Sequence, residues 1–446
     1  MPMRLSLKGR FNKKEWSWIM YDWANSVYAT NISAAIFPIL YSNIAGKGTT
    51  GDLMYGYAVS LANLLVAVLA PYLGSIADFK GMRKKLWFIF MTAGVAATAV
   101  MGVLSIVRII EAWKAILVCF VISRIGFSGS CLFYDSFLPD VTTPEKMNKV
   151  SAWGYAMGYI GGSTIPFLIS IVIIVLMNQS NLSMSIGVLI VPVWWLLFSF
   201  PFMKNVRQER YVETPRKELG HAAWRNTVLT FKSILKNKAV LFFLAAYFFY
   251  IDGVDTIISL ATKYGDTLGL GTIGMILALM VTQIVAVPCS ILFGSWSKKI
   301  GALKLISISV AIYALITVVG FGMGFLVDFY ETLNIAKDNA LQISTILFWV
   351  LATLVGTVQG GIQALSRSYY GQLIPPERAG EYYGFMDIFG KFSCVIGPAL
   401  YSLVLGITGK ASFAILSIIL LFLLGGVMLL VGRPFFKKVD HIKVEE

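Results

Sequence analysis

Long stretches without a single charge, cut to the thickness of a bilayer and separated by short basic loops, decide what this chain can fold into. Ile171–Met177, Gly187–Phe200 and Ala411–Val431 are charge-free segments within such stretches. A helix rises 1.5 Å per residue, so about 20 apolar residues cross a hydrocarbon core. Runs of that kind recur at 16–43, 54–77, 84–108, 112–138, 148–177, 184–203, 238–262, 271–297, 301–326, 340–371, 380–407 and 411–433. The pattern predicts an all-α integral membrane protein with twelve transmembrane helices. Composition agrees: 57% of residues are hydrophobic and only 13% charged, against about 45–50% and a quarter in soluble domains.

Twelve crossings place both termini on one side. The loops on that side hold roughly 29 Lys and Arg and those on the other about six, so the termini are expected to be cytoplasmic. The same asymmetry accounts for the formal charge of +14 without nucleic acid. Met1–Lys14 is basic and leads into a long span with no small-residue cleavage site, which predicts no removable signal peptide. The four cysteines (Cys119, Cys131, Cys289, Cys394) have neither metal nor redox spacing. No cofactor and no metal site is expected. The two histidines, His221 and His441, lie outside the apolar runs, so a histidine proton relay in the membrane is not expected.

The longest loop, Lys204–Lys238, divides the crossings into two sets of six. The expected domains are 1–203, a linker at 204–237 and 238–446. Leu219, Val228, Phe231, Ile234 and Leu235 lie among basic residues in this linker, a pattern that suits an amphipathic helix along the membrane interface.

The two sets repeat. Gly74-x-x-x-Asp78-x-x-Gly81-x-Arg83-Lys84 follows the second crossing, and Gly294-x-x-x-Lys298-x-x-Gly301-x-x-Lys304 follows the eighth. Ser136, Pro144, Glu145 and Pro166 recur at a second offset as Ser368, Pro376, Glu377 and Pro398. Paired six-helix halves are how alternating-access carriers are built. The first loop resembles the signature of the major facilitator superfamily. Finer motifs resemble its vacuole-effluxer branch, related to autophagy. They are Tyr21-Asp22-Trp23-Ala24-Asn25-Ser26, Tyr134-Asp135-Ser136-x-x-Pro139 and Gln359-x-x-x-Gln363-x-x-Ser366-Arg367-Ser368. The resemblance runs from about residue 15 to 430 and implies export of amino acids or similar small solutes. The fifth crossing has Gly154, Gly158, Gly161 and Gly162 but lacks the Gly-Pro signature of drug/proton antiporters; Gly397-Pro398 sits on the eleventh instead.

Polar groups inside the apolar runs are candidate function, because charge at bilayer depth is costly unless paired or hydrated. Asp252 and Asp255 share a face of the seventh crossing and Arg124 lies in the fourth. Asp22 and Asn25 share a face of the first, and Gln359 and Gln363 one of the tenth. These seven are the expected substrate-binding or coupling residues. Arg124 has an ion pair with Asp22 or another acid as its alternative reading. Arg124 with Asp252 or Asp255 would match an amino-acid zwitterion, and Asp252, Asp255 and Asp22 could carry a coupling proton. Gly74, Asp78, Gly81, Arg83, Asp135 and Arg367 are the expected gating residues, with Asp78 near the start of the eleventh helix. Asp387 and Lys391 have ion-pair spacing. Trp16, Trp18, Trp194 and Trp195 read as interface anchors and lipid-facing bulk.

The expected function is therefore secondary transport of a small polar solute, an amino acid in the efflux direction, with a proton as possible coupling ion. A drug or lipid-like exporter is the alternative, and a non-transporting receptor the alternative of another class. No nucleotide loop, metal cluster or nucleophile–base pair points to an enzyme. The expected partners are the small-molecule substrate and membrane lipid, with no nucleic acid. The chain is expected as a monomer in the plasma (inner) membrane.

Overall fold

Each crossing forms as helix in the computed structural model, which describes residues 11–45, 49–107, 112–213, 219–270, 272–332 and 338–445. Most of Met1–Lys14 and the side chains of Leu219, Cys394 and His441 lie outside the described residues. Among the described residues there is no strand, only an isolated bridge between Phe79 and Val212. A chain that crosses hydrocarbon must satisfy its backbone polar groups within itself, which leaves helices for a sequence of this pattern.

The chain separates into two compact units, Met1–Thr227 with Ile374–Phe385, and Val228–Leu373 with Met386–Glu446. The first contains α1 (Lys13–Val27), a π-helical turn (Tyr28–Ala34) and α2 (Ile36–Ala45), which together make one interrupted crossing. It continues with α3 (Thr49–Asp78), α4 (Met82–Ile106), α5 (Ala112–Ser136) and the short α6 (Leu138–Val141). The fifth crossing is α7 (Pro144–Met157), a second π-helical turn (Gly158–Thr164) and α8 (Ile165–Leu176); the sixth is α9 (Asn181–Asn205). Helix α10 (Leu219–Lys236) spans the division. The second unit holds α11 (Lys238–Thr267), α12 (Thr272–Ile300), α13 (Ala302–Thr332) and α14 (Asp338–Leu373). It also holds most of α15 (Ala379–Thr408), then α16 (Ala411–Ser417) and α17 (Ile419–Glu445). Among the described residues eleven helices are long and apolar enough to cross a membrane. The interrupted first crossing is the twelfth.

Local chemistry fixes where elements begin and break. Asn12 and Glu15 form a reciprocal capping box at α1, and the buried Glu15 also accepts from Thr142 Oγ1 at 2.7 Å. Asn237 caps α11 through the Ala239 and Val240 N–H groups. Both π-helical turns have a proline four residues beyond one of their carbonyls: Pro38 beyond Ala34, Pro166 beyond Gly162. A proline cannot donate to that carbonyl and its ring crowds it, so the regular ladder is interrupted at these places.

Packing in the first unit explains the Tyr21–Ser26 motif. Helix α1 lies against the second π-helical turn, where glycines let the backbones close. A methyl group built on Gly161 would lie 1.7 Å from Trp23 Cδ2, and one on Gly162 2.2 Å from Ser26 Cβ. Without a hydrophobic drive between helices in lipid, such close packing carries much of the association. The tryptophan expectation is corrected here. Trp18 and Trp195 are wholly buried. Trp18 Nε1 donates to Tyr134 O at 3.0 Å, and Trp195 Nε1 to the Tyr21 hydroxyl at 3.3 Å. Trp18 stacks on Tyr134, and Trp195 meets the rings of Tyr28 and Phe127, in a ring-packed core. Hydropathy alone did not distinguish a buried indole from a lipid-facing one.

Gly161→Ala is expected to destabilise the purified protein by about 1–3 kcal/mol through overpacking, read as a lower apparent melting temperature in detergent. Trp23→Ala in the same chain should restore much of the loss. An unchanged melting temperature in the single variant would contradict the close contact.

Candidate functional site

Three polar clusters and one cavity stand out, each inside a single unit. The first is the loop between α3 and α4. Gly81 starts α4 with φ of 74°, a left-handed conformation that glycine adopts without strain; its repeat partner Gly301 does the same before α13 with φ of 92°. The last residue of α3, Asp78, is buried. Its Oδ1 accepts from Arg83 Nη2 at 2.6 Å and Gly380 N at 2.7 Å, and Oδ2 from Glu381 N at 2.9 Å. Those amides belong to the first turn of α15, where an anion complements unpaired N–H groups. Gly74 makes the approach possible: a methyl there would lie 2.2 Å from Gly380 O.

Arg83, also wholly buried, links this to α5 and α6. Its Nη1 donates to Asp140 Oδ2 at 2.7 Å and Ser136 O at 3.1 Å, and its guanidinium lies over the Phe137 ring. The second carboxylate on Arg83 is Asp140, whereas sequence reasoning placed Asp135 in this cluster. Asp135 is half-buried in the last turn of α5. Asp140 Oδ1 accepts from Arg210 N at 2.9 Å. Burial pushes the Asp140 carboxyl up to about 6, against the downward pull of Arg83. Arg367, the sixth expected gating residue, is buried near the end of α14.

The second cluster surrounds Arg124. The guanidinium is half-buried. Nε donates to Asn63 Oδ1 at 3.1 Å and Nη1 to Ser33 Oγ at 3.4 Å. Ser33 belongs to the first π-helical turn, so the break in the first crossing supplies a partner to the arginine. Ser123 Oγ donates to the Tyr28 hydroxyl at 3.0 Å beside it. Among the described residues Arg124 has no ion-pair partner, so its alternative reading, a pairing with Asp22 or another acid, is not what forms. On α1, Asp22 is half-buried; Asn25 is buried and its Nδ2 has no hydrogen-bond partner among the described residues. Asn63 and Ser33 were missed by the sequence analysis. Asn63 could have been found by the criterion that singled out Arg124, since it interrupts the apolar Leu61–Val66 run.

The third cluster lies in the second unit. Asp252 is wholly buried. Both of its oxygens accept from Gly397 N at 3.0 Å, and Oδ1 is also 3.3 Å from Thr256 Oγ1. Asp252, one of the three expected coupling acids, thus holds the backbone just before Pro398. Asp255, one turn on, is half-buried. Lys391 Nζ stands 3.8 Å from Asp387 Oδ1 on α15.

The cavity is in the same unit and is nearly all apolar, with Ile257, Tyr264, Met323, Phe348 and Leu351 among its walls. Thr282, Gln283, Thr317 and Gln359 supply its polar groups. Gln283 Oε1 is buried without a hydrogen-bond partner among the described residues. Gln359 lines this space and Gln363 does not, although both share one face of α14 in sequence. No group of three or more His, Cys, Asp or Glu among the described residues has the arrangement of a metal site.

Similarity to known proteins follows these features. Residues 52–433 match the family model described as vacuole effluxer Atg22 like. The chain is 40% identical over 430 residues to the MFS-type transporter YxiO of Bacillus subtilis (strain 168), covering 94% of this chain and 95% of that one. It is 26% identical over 298 residues to autophagy-related protein 22-1 of Aspergillus fumigatus, covering 64% of this chain and 48% of that protein. The proton:xylose symporter XylE, a major facilitator superfamily protein, has a similar structure, with a TM-score of 0.66 at 12% identity over 93% of this chain and 94% of that one. A bacterial homologue of the iron transporter ferroportin, in an outward-facing state, gives 0.61 at 13% identity over 96% and 98%. At such identities the structural likeness speaks for the fold alone. The chain is an integral multi-pass membrane transporter of the major facilitator type, and it belongs to the Atg22-like vacuole effluxer family.

Proposed function

We propose that this transporter exports a small solute bearing a carboxylate, an amino acid, by alternating access across the plasma (inner) membrane with both termini cytoplasmic. The observation that carries the reading is Arg124: a guanidinium at mid-crossing, held by a neutral amide and a hydroxyl rather than by an acid. Arginine cannot shed its charge, and its planar fork suits a carboxylate. Charge-assisted bonds of this kind are about twice as strong as neutral ones. Asn63 and Ser33 orient the fork without neutralising it. Asn25, with an amide donor to spare, is a further candidate contact. The Atg22-like relatives support the efflux direction by their family description.

Amino acids should raise the melting temperature of purified protein, as ligands of the native state do. Decarboxylated amines of the same side chains should not, and Arg124→Ala should abolish the shift while the unliganded protein stays folded. Amines that stabilise as well as amino acids would remove the carboxylate role. The apolar cavity beside Gln283 and Gln359 favours a second reading, export of a drug-like or lipid-like compound. Stabilisation by such compounds alone would favour it over the first.

Coupling is assigned to the carboxylates Asp252, Asp255 and Asp22, acids within the membrane-crossing helices. Uptake into proteoliposomes should respond to an imposed pH gradient, and Asp255→Asn should lose that response. Transport indifferent to pH yet dependent on sodium would reject the assignment.

The Asp78–Arg83–Asp140 cluster, with Gly74 and Gly81, is proposed to act as a latch on the cytoplasmic side. Removing one partner of a buried ion pair costs about 3–5 kcal/mol, enough to invert a modest population ratio between two access states. Asp78→Asn should therefore raise the reactivity of cytoplasmic-side cysteine probes. Labelling from the two sides in unchanged proportion would refute the latch.

A further inference from the structure

Helix α10 has three faces, and the transport reading uses none of them. Successive residues are about 100° apart around a helix. Ala223, Thr230 and Ile234, all buried, fall within an arc of roughly 40°. Trp224, Val228, Phe231 and Leu235, all exposed, occupy a neighbouring arc of roughly 60°. Arg225, Lys232 and Lys236, also exposed, form a third arc centred roughly 90° beyond the apolar one. An aqueous helix would not gather four large apolar side chains, with Trp224 61% exposed, in one arc beside three cations.

The depth of the helix is fixed by its contacts. Ser75 Oγ donates to Ala223 O at 3.0 Å, and Thr227 Oγ1 is 3.5 Å from Pro71 O. Ser75 and Pro71 are three and seven residues from the end of α3 at Asp78, which is roughly 5 and 10 Å at 1.5 Å per residue. Interfacial helices sink their apolar face by about the same distance below the headgroups. At its other end α10 passes through Asn237 directly into α11, whose first amides Asn237 caps. Both ends are thus tied to the boundary of membrane-crossing helices, and this is the side that carries the basic loops.

We propose that α10 is a binding site for anionic phospholipid, with Trp224, Val228 and Leu235 among the acyl chains and Arg225, Lys232 and Lys236 on phosphate headgroups. The charge complementarity and the depth both select lipid over a soluble anion. A soluble anion would need the cations but leave the apolar arc in water. The consequence is that the order of this segment depends on the charge of the leaflet that holds it.

Hydrogen exchange of residues 219–236 in the full chain tests this directly. The protein is placed in nanodiscs of phosphatidylcholine alone and of phosphatidylcholine with phosphatidylglycerol at about 3:1. The anionic discs should slow exchange of α10 on the order of tenfold, and high salt should cancel the effect. A chain carrying Arg225→Gln, Lys232→Gln and Lys236→Gln should exchange at the neutral-disc rate in both. A chain carrying Trp224→Ser and Leu235→Ser should exchange faster in both. Unaltered exchange in α4 and α13 shows that the variants are folded. Equal protection in the two wild-type discs overturns the proposal, and so does a phosphatidylglycerol effect that survives the triple substitution. Free glycerol phosphate that protects α10 in neutral discs as well as the lipid does would also overturn it, since the site would then be one for soluble anions.

Discussion

A backbone inside hydrocarbon has no water to bond with, and each unsatisfied amide there costs several kcal/mol. The rest of this architecture follows from that demand. It makes every crossing a helix, and it makes each departure from a regular helix informative. Two described departures, the π-helical turns, lie before Pro38 and Pro166, and a third proline step, Gly397–Pro398, lies within α15. Each is accompanied by a polar side chain or a tightly packed neighbour. Ser33 turns to Arg124, the Gly158–Thr164 turn receives Trp23 and Ser26, and Asp252 takes the Gly397 amide. At these three prolines protein groups meet the backbone.

That same demand explains how two kinds of buried charge differ. Arg83 is enclosed by two carboxylates, a carbonyl and a phenyl ring, so its charge is balanced inside the protein. Arg124 is only half-buried and meets neutral groups. A permanent cation in that setting keeps an unbalanced field at its site. The first arrangement suits a structural joint, the second a place where a charged solute gains by arriving.

Much of this was legible in the sequence because it depends on properties that run along the chain. Apolar run length gave the crossings, and loop charge gave the sidedness that the proposed function adopts. The Gly74–Arg83 spacing placed a carboxylate where the start of α15 could receive it. What was not legible depends on contacts between distant segments. Asp140 follows Pro139 just beyond a motif that already offered Asp135, and only the fold shows which carboxylate reaches Arg83. Trp18 and Trp195 have the composition of lipid-facing bulk, yet ring packing encloses them. Asp252 and Asp255 are alike in sequence, and the partner that separates them sits 145 residues away.

The two loop repeats preserve their glycines but not the sign of the residue between them, and this has a consequence. Lys298 lies in the last turn of α12, where a cation is favoured by the partial negative charge of the helix end. Asp78 occupies the matching end of α3, where its own helix repels it. The C-terminal copy is therefore electrostatically at rest by itself. The N-terminal copy sets a carboxylate against its own helix end, and Arg83 and the amides of Gly380 and Glu381 surround that carboxylate. Where the first copy has Asp78 and Arg83 the second has Lys298 and Leu303, so the carboxylate and its counter-charge are present together in one half and absent together from the other.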